Sequence, residues 1–385
     1  YEMEICMLNP LFCPYLGGTE KHVFEIGKRL ARRHNIVVLT SHLEGTPLYE
    51  EIDGMKVYRT PCVYLNTLPP PLPPPYTIAP TFIRELMKQK ADIFHIHNRF
   101  WYYAGTLLAI KMKKKKLVLT LHNAKTEGIS PMTDRLGALY DFAWGQRIME
   151  ACDKIVAVSD YTRAVTVPAR LQYKSITVYN GVNTTLFSPK DPSEIKKRLG
   201  ITSEPVILFV GRLLEQKGVE YLIRAFGMLK KDVPDARLVI IGRGPLELHL
   251  RKVAGEVGVG DSFRIINRVP EHELPLYYNM ASVFMLPSLW EPLGIVVLEA
   301  MACGIPVVSS DTGGPRELVT SDCGFLARPR DQNDIYAKLK LLLQDESLRR
   351  RMGTSARKRA VENFTWDIAA QKMEKIYESL MEVPL

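Results

Sequence analysis

The feature that most constrains the fold is a series of short, almost uninterrupted apolar runs that recurs along the chain. Most runs end in a polar or glycine-containing turn, and several are followed by an amphipathic helical pattern. Strands that are apolar on both faces are typical of parallel sheets covered by helices. The runs lie at residues 4–8, 36–40, 57–59, 93–98, 117–123, 155–159, 175–179, 206–210, 238–241, 263–269, 283–287 and 305–310.

The length of the chain and a break in this series indicate two domains. A chain of 385 residues is too long for one ordinary core. The series pauses at the polar segment Asn180–Pro189 and resumes with the apolar run Val206–Val210. We therefore predict an α/β protein with two doubly wound, Rossmann-like domains, 1–183 and 184–365, facing each other across a cleft. The cleft is the expected site, because parallel sheets bind ligands at the carboxyl ends of their strands.

Composition is that of a soluble globular protein. Hydrophobic residues make up 46% of the chain and charged residues 24%, which argues against disorder. The six cysteines never approach Cys-x-x-Cys spacing, so we expect reduced thiols and a cytoplasmic location. No run reaches the roughly 18 to 20 uncharged apolar residues of a membrane span, and no signal-peptide pattern opens the sequence.

The net charge of +9 favours an anionic partner, such as a nucleotide or a lipid headgroup. Much of the excess lies in a lysine cluster, Lys111 and Lys113–Lys116, which follows the aromatic segment Arg99–Tyr103. This arrangement favours peripheral contact with the inner face of an anionic membrane, and a solvated helix end is the alternative. Nucleic acid is not expected as a partner, because no helix-turn-helix, zinc or RNA-binding signature accompanies the charge.

Two carboxylates, Glu291 and Glu299, interrupt the apolar stretch Leu289–Gly304. A proline that suits a helix start and the final glycine predict a short helix between them. Helical spacing returns Glu299 to within about 80° of Glu291, so both acids could face one ligand. The alternative is a buried helix whose first acid complements the helix dipole and whose second forms an ion pair. The turn Asp311–Gly314 would add backbone amides for an anion.

In the first half, a glycine pair and three histidines follow predicted strands. Gly17 and Gly18 precede a helical pattern at residues 19–33, which makes them candidates for close backbone approach to a phosphate. Alternation places His95 and His97 on one face of a strand, and His122 ends the next strand. Metal ligation by these histidines is weakly supported, since no cysteine or acid accompanies them at ligand spacing. Hydrogen bonding to a polar ligand is favoured, with a structural role as the alternative for His95.

In the second half, Arg212 and Lys217 flank the glycine-bounded turn Gly211–Gly218 at the end of an apolar strand. Two cations in such a loop suit a diphosphate, because charge-assisted hydrogen bonds are strong and arginine can bind bidentately. An exposed ion-pair loop is the alternative. A further glycine turn containing Gly242 follows the next strand.

Four segments occur in a fixed order, and the set is more specific than any one of them. They are Gly17–Glu20, Asn180–Asn183, Gly211–Gly218 and Glu291–Val307. Together they resemble the family-4 retaining glycosyltransferases of the GT-B fold over nearly the whole chain. In that family the second domain binds a nucleotide sugar, and the resemblance implies that the last helix, 366–385, crosses back onto the first domain.

The resemblance implies roles for individual residues. Arg212 and Lys217 would bind the donor diphosphate, Glu299 the ribose hydroxyls, and Glu291 the hydroxyls of the transferred sugar. His122 matches the histidine of the family that contacts the sugar. On the acceptor side we name Tyr15, His97 and Asn98. The full donor-binding set is Gly17, Gly18, Arg212, Lys217, Gly242, Val269, Glu291, Gly294, Ile295, Val296 and Glu299, and the catalytic set is His122, Glu291, Arg212 and Lys217.

Two departures from the common pattern bear on mechanism. Asn183 stands where an aspartate is usual, which affects only an expected hinge contact. No Asp-x-Asp pair occurs, in agreement with metal-independent chemistry in which the cationic loop stabilises the leaving nucleoside diphosphate. No cofactor and no metal are therefore expected, and front-face displacement is the hypothesis for retention of configuration.

The predicted function is transfer of a hexosyl group from a nucleoside-diphosphate sugar to a glycan, polyol or lipid-linked acceptor. GDP-mannose, UDP-glucose and UDP-N-acetylglucosamine all remain open as donors, because loops such as Arg268–Pro270 would contact the base through backbone atoms. The alternatives are an epimerase or glycogen-synthase-like enzyme of the same fold, and a non-catalytic protein that binds nucleotide sugars.

Overall fold

The computed structural model describes residues 2–15, 17–65, 76–78, 81–99, 104–125 and 129–382. The chain divides into two compact units. The first unit comprises residues 1–126, 130–180 and 366–385, and the second comprises residues 127–129 and 181–365. The division therefore falls slightly before the predicted boundary, and the C-terminal helix belongs to the first unit.

The first unit is built on a twisted sheet and a separate hairpin. In chain order its described strands are β1 (Glu4–Leu8), β2 (Asn35–Ser41), β3 (Tyr49–Ile52), β4 (Met55–Thr60), β5 (Val63–Leu65), β6 (Tyr76–Ile78), β7 (Ile93–His97), β8 (Lys116–Leu121), β9 (Lys154–Ala157) and β10 (Ser175–Thr177). Eight of them form one sheet in the order β10-β9-β8-β7-β1-β2-β4-β3. Neighbours in this sheet pair in parallel, except that β3 is antiparallel to β4, and β5 and β6 form the hairpin.

Both faces of this sheet are buried, which explains why its central strands are largely apolar, with His95 and His97 of β7 among the buried polar exceptions. Along β1, Cys6 and Leu8 belong to one hydrophobic cluster, and Ile5 and Met7 belong to the other. Helices cover the sheet. The described helices of this part are α1 (Gly18–Leu30), α2 (Phe82–Lys88), α3 (Ala104–Met112), α4 (Pro131–Tyr140), α5 (Gln146–Ala151) and α6 (Asp160–Thr166).

The second unit is a parallel α/β sheet with strand order β13-β12-β11-β14-β15-β16. Its described strands are β11 (Val206–Val210), β12 (Arg237–Ile241), β13 (Phe263–Ile266), β14 (Val283–Leu286), β15 (Val307–Ser310) and β16 (Gly324–Ala327). Its described helices are α7 (Ser193–Leu199), α8 (Val219–Leu229), α9 (Glu247–Glu256), α10 (Leu274–Met280), α11 (Ile295–Ala302), α12 (Pro315–Leu318), α13 (Gln332–Gln344) and α14 (Glu346–Asn363).

The last helix, α15 (Trp366–Glu382), packs against α1 in the first unit. Trp366 and Tyr377 are fully buried there. The helix is also held at its surface, where Asp367 pairs with Arg29 at 2.9 Å. A large aromatic anchor near the start of α15 therefore fixes it to the first unit.

The prediction of two Rossmann-like α/β units is confirmed, with differences at the edges. The edge strand β3 was missed, because Tyr49–Ile52 contains two glutamates and is partly exposed. The predicted strand at 263–269 ends at Ile266, where a polar loop begins. The proline run at residues 69–75, which predicts an extended surface connector because it excludes a helix or a central strand, lies outside the described residues.

Within the described part of the chain, none of the helices combines the length and the apolar character needed to span a bilayer.

Candidate functional site

Four histidines of the first unit pack together at the carboxyl ends of β7 and β8. His95 and His97 lie on β7, His122 directly follows β8, and His22 lies on α1. Ring centroids are 4.2 Å apart for His95 and His97, 5.3 Å for His97 and His122, and 4.6 Å for His22 and His122. The predicted shared face of His95 and His97 is confirmed, and parallel pairing of β7 with β8 brings His122 beside them.

His95 is a structural member of this cluster. Its Nδ1 lies 2.6 Å from the hydroxyl oxygen of Tyr377 on α15. Its Nε2 lies 2.7 Å from Oγ1 of Thr120 on β8. Both ring nitrogens are thus engaged, and the side chain is fully buried. The structural alternative considered for His95 therefore agrees with its surroundings.

The other three histidines use one nitrogen each in hydrogen bonds that the structure defines. His97 Nδ1 lies 3.0 Å from His122 Nε2. His22 Nδ1 lies 2.7 Å from Oδ1 of Asn180. The Nε2 atoms of His22 and His97 are buried and have no hydrogen-bond partner among the described residues. Two imidazole nitrogens are therefore left inside the cluster without a partner.

Burial sets the protonation state of the cluster. Desolvation lowers the pKa of His22 to about 4, partly offset by the hydrogen bond that its ring donates to Oδ1 of Asn180. The pKa values of His97 and His122 are held well below the ordinary range, first by desolvation and then by neighbouring histidines. At neutral pH these rings are uncharged. His122 can therefore donate or accept a hydrogen bond with a ligand, but it contributes no positive charge.

The glycine pair at the start of α1 is already used in part by the chain itself. The amide of Gly17 donates to Oε2 of Glu20 at 3.0 Å, and Oε1 of Glu20 accepts from Asn9. A Cβ at Gly17 would lie 2.5 Å from the Glu20 oxygen, whereas one at Gly18 would meet nothing within 4 Å. The amide of Gly17 therefore already serves an internal carboxylate, and the approach of both glycines to a phosphate stays a prediction.

The three residues named for the acceptor side differ in accessibility. Tyr15 is 37% exposed, whereas His97 is 0% exposed and contacts His122, so the expectation that His97 touches an acceptor directly is corrected. Asn98 has a positive φ of 66° and is 7% exposed. Its Oδ1 accepts from the amide of His122 at 3.0 Å, so Asn98 supports the backbone at His122.

In the second unit, the predicted cationic loop contacts the predicted sugar-binding acid. Nζ of Lys217 lies 2.5 Å from Oε2 of Glu291, and Ser288 donates to the same oxygen at 3.4 Å. Gly218 has φ of 61°, and a Cβ there would lie 2.2 Å from the carbonyl oxygen of Pro287. Close packing of the two loops therefore brings Lys217 to Glu291.

Arg212 differs from Lys217 in its surroundings. It follows β11 and is exposed. Among the residues that the structure describes, none forms a hydrogen bond or an ion pair with its guanidinium group. The loop therefore presents one paired and one available cation.

Glu299 lies on α11 and is 4% exposed. The hydroxyl of Tyr278, on α10, donates to its Oε2 at 2.8 Å. Desolvation and then the charge of Glu299 raise the pKa of Tyr278 well above its ordinary value, so the phenol stays protonated as the donor. Glu291 lies outside the helix, before its N-cap residue Gly294, so the two acids are held by separate partners.

The start of α11 offers backbone donors, whereas the amide of Gly314 in the nearby glycine turn is already bonded within the chain. Gly294 is the N-cap with φ of 89°, and the next two amides, of Ile295 and Val296, have no acceptor inside the helix. Gly314 donates instead to the carbonyl oxygen of Glu291 at 3.0 Å. The expectation that the Asp311–Gly314 turn supplies amides for an anion is therefore corrected at Gly314, which packs against the chain's own backbone.

Two other donor-side positions have different surroundings. Gly242 has φ of 153°, and a Cβ there would lie 1.8 Å from the carbonyl oxygen of Gly211. Its amide donates to the carbonyl oxygen of Ile266 at 2.9 Å, so the structure explains Gly242 by packing between strand ends.

Val269 is half-buried in the loop after β13. Asn183 caps its own turn by accepting from the amides of Thr185 and Leu186.

Sequence reasoning missed three residues of these sites: His22, Asn180 and Tyr278. A signal existed for His22, because it is a polar residue next to Val23 on the buried face of a helix. Asn180 was named only as the first residue of the segment Asn180–Asn183. Tyr278 carries no local signal, since its role depends on the packing of α10 against α11.

Two family models cover most of the chain in succession. The model described as "Glycosyltransferase Family 4" matches residues 16–186, and the one described as "Glycosyl transferases group 1" matches residues 191–359. The α-maltose-1-phosphate synthase of Mycolicibacterium smegmatis is 32% identical over 76% of this chain and 80% of its own length. The chain belongs to glycosyltransferase family 4. The predicted family and the prediction of an enzyme of the glycosyltransferase class are thereby confirmed.

Other members of this glycosyltransferase family match along its whole length. A protein of M. smegmatis named GDP-mannose-dependent α-(1-6)-phosphatidylinositol monomannoside mannosyltransferase is 29% identical over 96% of this chain and 97% of its own. Among solved structures, a sucrose-phosphate synthase from Thermosynechococcus elongatus superposes with a TM-score of 0.78 at 22% identity, covering 99% of both chains. This likeness confirms the GT-B fold of the glycosyltransferase.

Proposed function

We propose that this glycosyltransferase moves a hexosyl group, with retention of configuration, from a nucleoside-diphosphate sugar to a glycan, polyol or lipid-linked acceptor. The observation that carries the proposal is the loop after β11, which contains both the exposed Arg212 and Lys217, the cation paired with Glu291. Arg212 has no hydrogen-bond or ion-pair partner among the described residues and can bind a diphosphate, while Lys217 and Glu291 can serve a phosphate oxygen and a sugar hydroxyl.

The leaving diphosphate is stabilised by charge from the protein. Arg212 binds it bidentately, and Lys217 shares its ammonium group between Glu291 and a phosphate oxygen. The amides of Ile295 and Val296 at the start of α11 add donors at the positive end of a helix. These groups supply the electrostatic stabilisation that a divalent cation would supply elsewhere, so no metal is required at the diphosphate.

The two acids bind the two sugar groups of the donor, the ribose and the transferred hexose. Glu299 receives the ribose hydroxyls, with one carboxylate oxygen fixed by Tyr278. Glu291 accepts from hydroxyls of the transferred sugar. Its charge is already engaged by Lys217, which makes it a poor nucleophile and favours front-face displacement over a covalent glycosyl-enzyme. His122 contacts the sugar as an uncharged hydrogen-bonding group.

The donor is a GDP- or UDP-sugar. GDP-mannose is favoured by the full-length similarity to a protein named as GDP-mannose-dependent, and UDP-glucose and UDP-N-acetylglucosamine are the other candidates. Tyr15 and Asn98 remain the acceptor-side residues. A cytoplasmic location with peripheral membrane contact through the lysine cluster belongs to the same proposal.

The experiment is a donor-turnover assay on the purified chain with each nucleotide sugar, with and without added polyol, glycan or lipid-phosphate acceptors. We expect nucleoside diphosphate release that depends on an acceptor and a glycosylated product with the donor's anomeric configuration. Release without acceptor, or an isomerised sugar, would support the epimerase alternative. Donor binding with no product from any acceptor pool would support the non-catalytic alternative.

A further inference from the structure

We propose that His22, His97 and His122 form a binding site for a d-block divalent cation such as Zn²⁺, inside the first unit. One ligand-capable nitrogen from each ring lies within 4.8 Å of the other two. In the described part of the chain, no other group of three histidine, cysteine or acidic side chains meets this geometry. All three side chains are buried, so the ion would be structural and largely shielded from solvent.

His22 is held as a metal ligand would be, because Asn180 bonds to one of its two ring nitrogens. Oδ1 of Asn180 accepts a hydrogen bond, so the ring proton of His22 resides on Nδ1. Nε2 then carries a bare lone pair, and it is buried without a hydrogen-bond partner among the described residues. Ligating histidines commonly donate their second nitrogen to a carbonyl or carboxylate in this way.

His97 and His122 supply the other two nitrogens. The 3.0 Å contact between His97 Nδ1 and His122 Nε2 already brings these rings together. In a tetrahedral site with Zn–N bonds of roughly 2.0 to 2.1 Å, ligand nitrogens stand about 3.3 Å apart. A limit of 4.8 Å among the three nitrogens therefore requires only a small inward movement of the rings. A water molecule would complete the coordination.

His95 provides the natural contrast within the same cluster. Its two nitrogens are bonded to Tyr377 and Thr120, so it has no lone pair left for an ion. An all-imidazole donor set favours zinc, copper or nickel over magnesium or calcium, which prefer oxygen ligands. The three histidines belong to the first unit, and the proposed diphosphate residues belong to the second. Coordination through Nε2 of His122 leaves its Nδ1 for the sugar.

The test is metal binding to the purified full chain without nucleotide. After removal of bound metal, we expect one equivalent of Zn²⁺ to bind and to raise the melting temperature, while Mg²⁺ does neither. Asn180→Ala removes the hydrogen-bond partner of a proposed ligand and should weaken Zn²⁺ binding roughly 10- to 100-fold. His97→Gln and His22→Gln remove a ligand itself and should weaken Zn²⁺ binding by more than that. His95→Gln, the matched buried control, should retain the affinity within about threefold of the wild type.

A second measurement needs no variant and so does not depend on how substitutions affect folding. With ¹⁵N-labelled histidine, Zn²⁺ should shift ring-nitrogen resonances of His22, His97 and His122 and leave the bonded nitrogens of His95 unshifted. Shifts confined to the other histidines, equal affinity in His97→Gln and wild type, or no binding at one equivalent would each overturn the proposal.

Discussion

Nζ of Lys217 lies 2.5 Å from Oε2 of Glu291, so the predicted diphosphate cation and the predicted sugar acid form one ion pair. The side chains are only 15% and 10% exposed. Removing one member of such a pair leaves the other charge largely buried without compensation. Replacing either residue therefore affects the other one as well. Substitutions that keep the size and polarity of the side chain test its role in binding with the least effect on folding.

Glu291→Gln should chiefly lower turnover. The amide keeps the shape of the side chain but cannot accept charge-assisted hydrogen bonds from sugar hydroxyls, which costs roughly 1.5 to 3 kcal/mol, or about 10- to 150-fold in kcat. Donor affinity should change little, because Lys217 is released toward the phosphate. Steady-state kinetics check this, with Glu215→Gln, an exposed acid of the loop that carries Lys217, as the control. An unchanged kcat would remove Glu291 from the sugar site.

Glu299→Gln should chiefly weaken donor binding. Loss of the carboxylate removes the acceptor of the ribose hydroxyls, so Kd for the nucleoside diphosphate should rise roughly 10-fold or more with a smaller change in kcat. Tyr278→Phe separates positioning from binding, because it removes only the 2.8 Å hydrogen bond to Glu299 and should cost about 1 kcal/mol of stability. If Glu291→Gln and Glu299→Gln reduced stability alone, the buried-helix interpretation of this stretch would be correct.

Gly242→Ala should destabilise the second unit. The new Cβ would lie 1.8 Å from the carbonyl oxygen of Gly211, at a φ of 153° that L-residues rarely adopt. We expect a loss of about 1 to 3 kcal/mol or more in the free energy of unfolding. The matched control is Gly255→Ala on helix α9, where the added methyl meets nothing within 4 Å and should stabilise by about 0.5 to 1 kcal/mol. Chemical denaturation measures both, and equal stability of the two variants would contradict the packing explanation.

The lysine cluster should bind anionic vesicles in a salt-sensitive manner. Lys113 and Lys115 contact Gln89 and Asp92, whereas Lys111 and Lys114 are exposed and available to headgroups. Replacing both exposed lysines by alanine should weaken vesicle binding by about 1 kcal/mol per charge. Co-sedimentation with anionic and neutral vesicles checks this, and equal binding to both would dismiss a membrane role. The aromatic part of the predicted surface, residues 100–103, lies outside the described residues.

Much of the fold could be predicted because strands that are buried on both faces appear in the sequence as continuous apolar runs. The five residues Val206–Val210 are apolar throughout, and β11 indeed pairs on both sides in a parallel sheet. The edge strand β3 could not be predicted by the same rule, since an edge strand exposes one face and tolerates Glu50 and Glu51.

The candidate site was only partly predictable, for a physical reason. Arg212, Lys217 and Glu291 could be named because charged residues at strand ends or in apolar runs stand out. Capture of the Gly17 amide by Glu20 is a local interaction, because the two residues stand three apart at the start of α1 as in a capping box. Capture of the Gly314 amide by the Glu291 carbonyl depends on tertiary packing and left no local signal. The addition of His22 to the other histidines likewise depends on how α1 lies across the sheet.

The most direct test of the account is calorimetric titration of GDP and UDP into the wild type, Arg212→Ala and Lys231→Ala. Arg212 makes no described side-chain contact, so its removal should spare the fold, and Lys231 is an exposed cation elsewhere in the second unit. We predict that one of the two nucleotides binds the wild type and Lys231→Ala equally. Arg212→Ala should bind it roughly 10- to 150-fold more weakly, the equivalent of 1.5 to 3 kcal/mol. Equal affinity in all three proteins would contradict the assignment of the diphosphate to this loop.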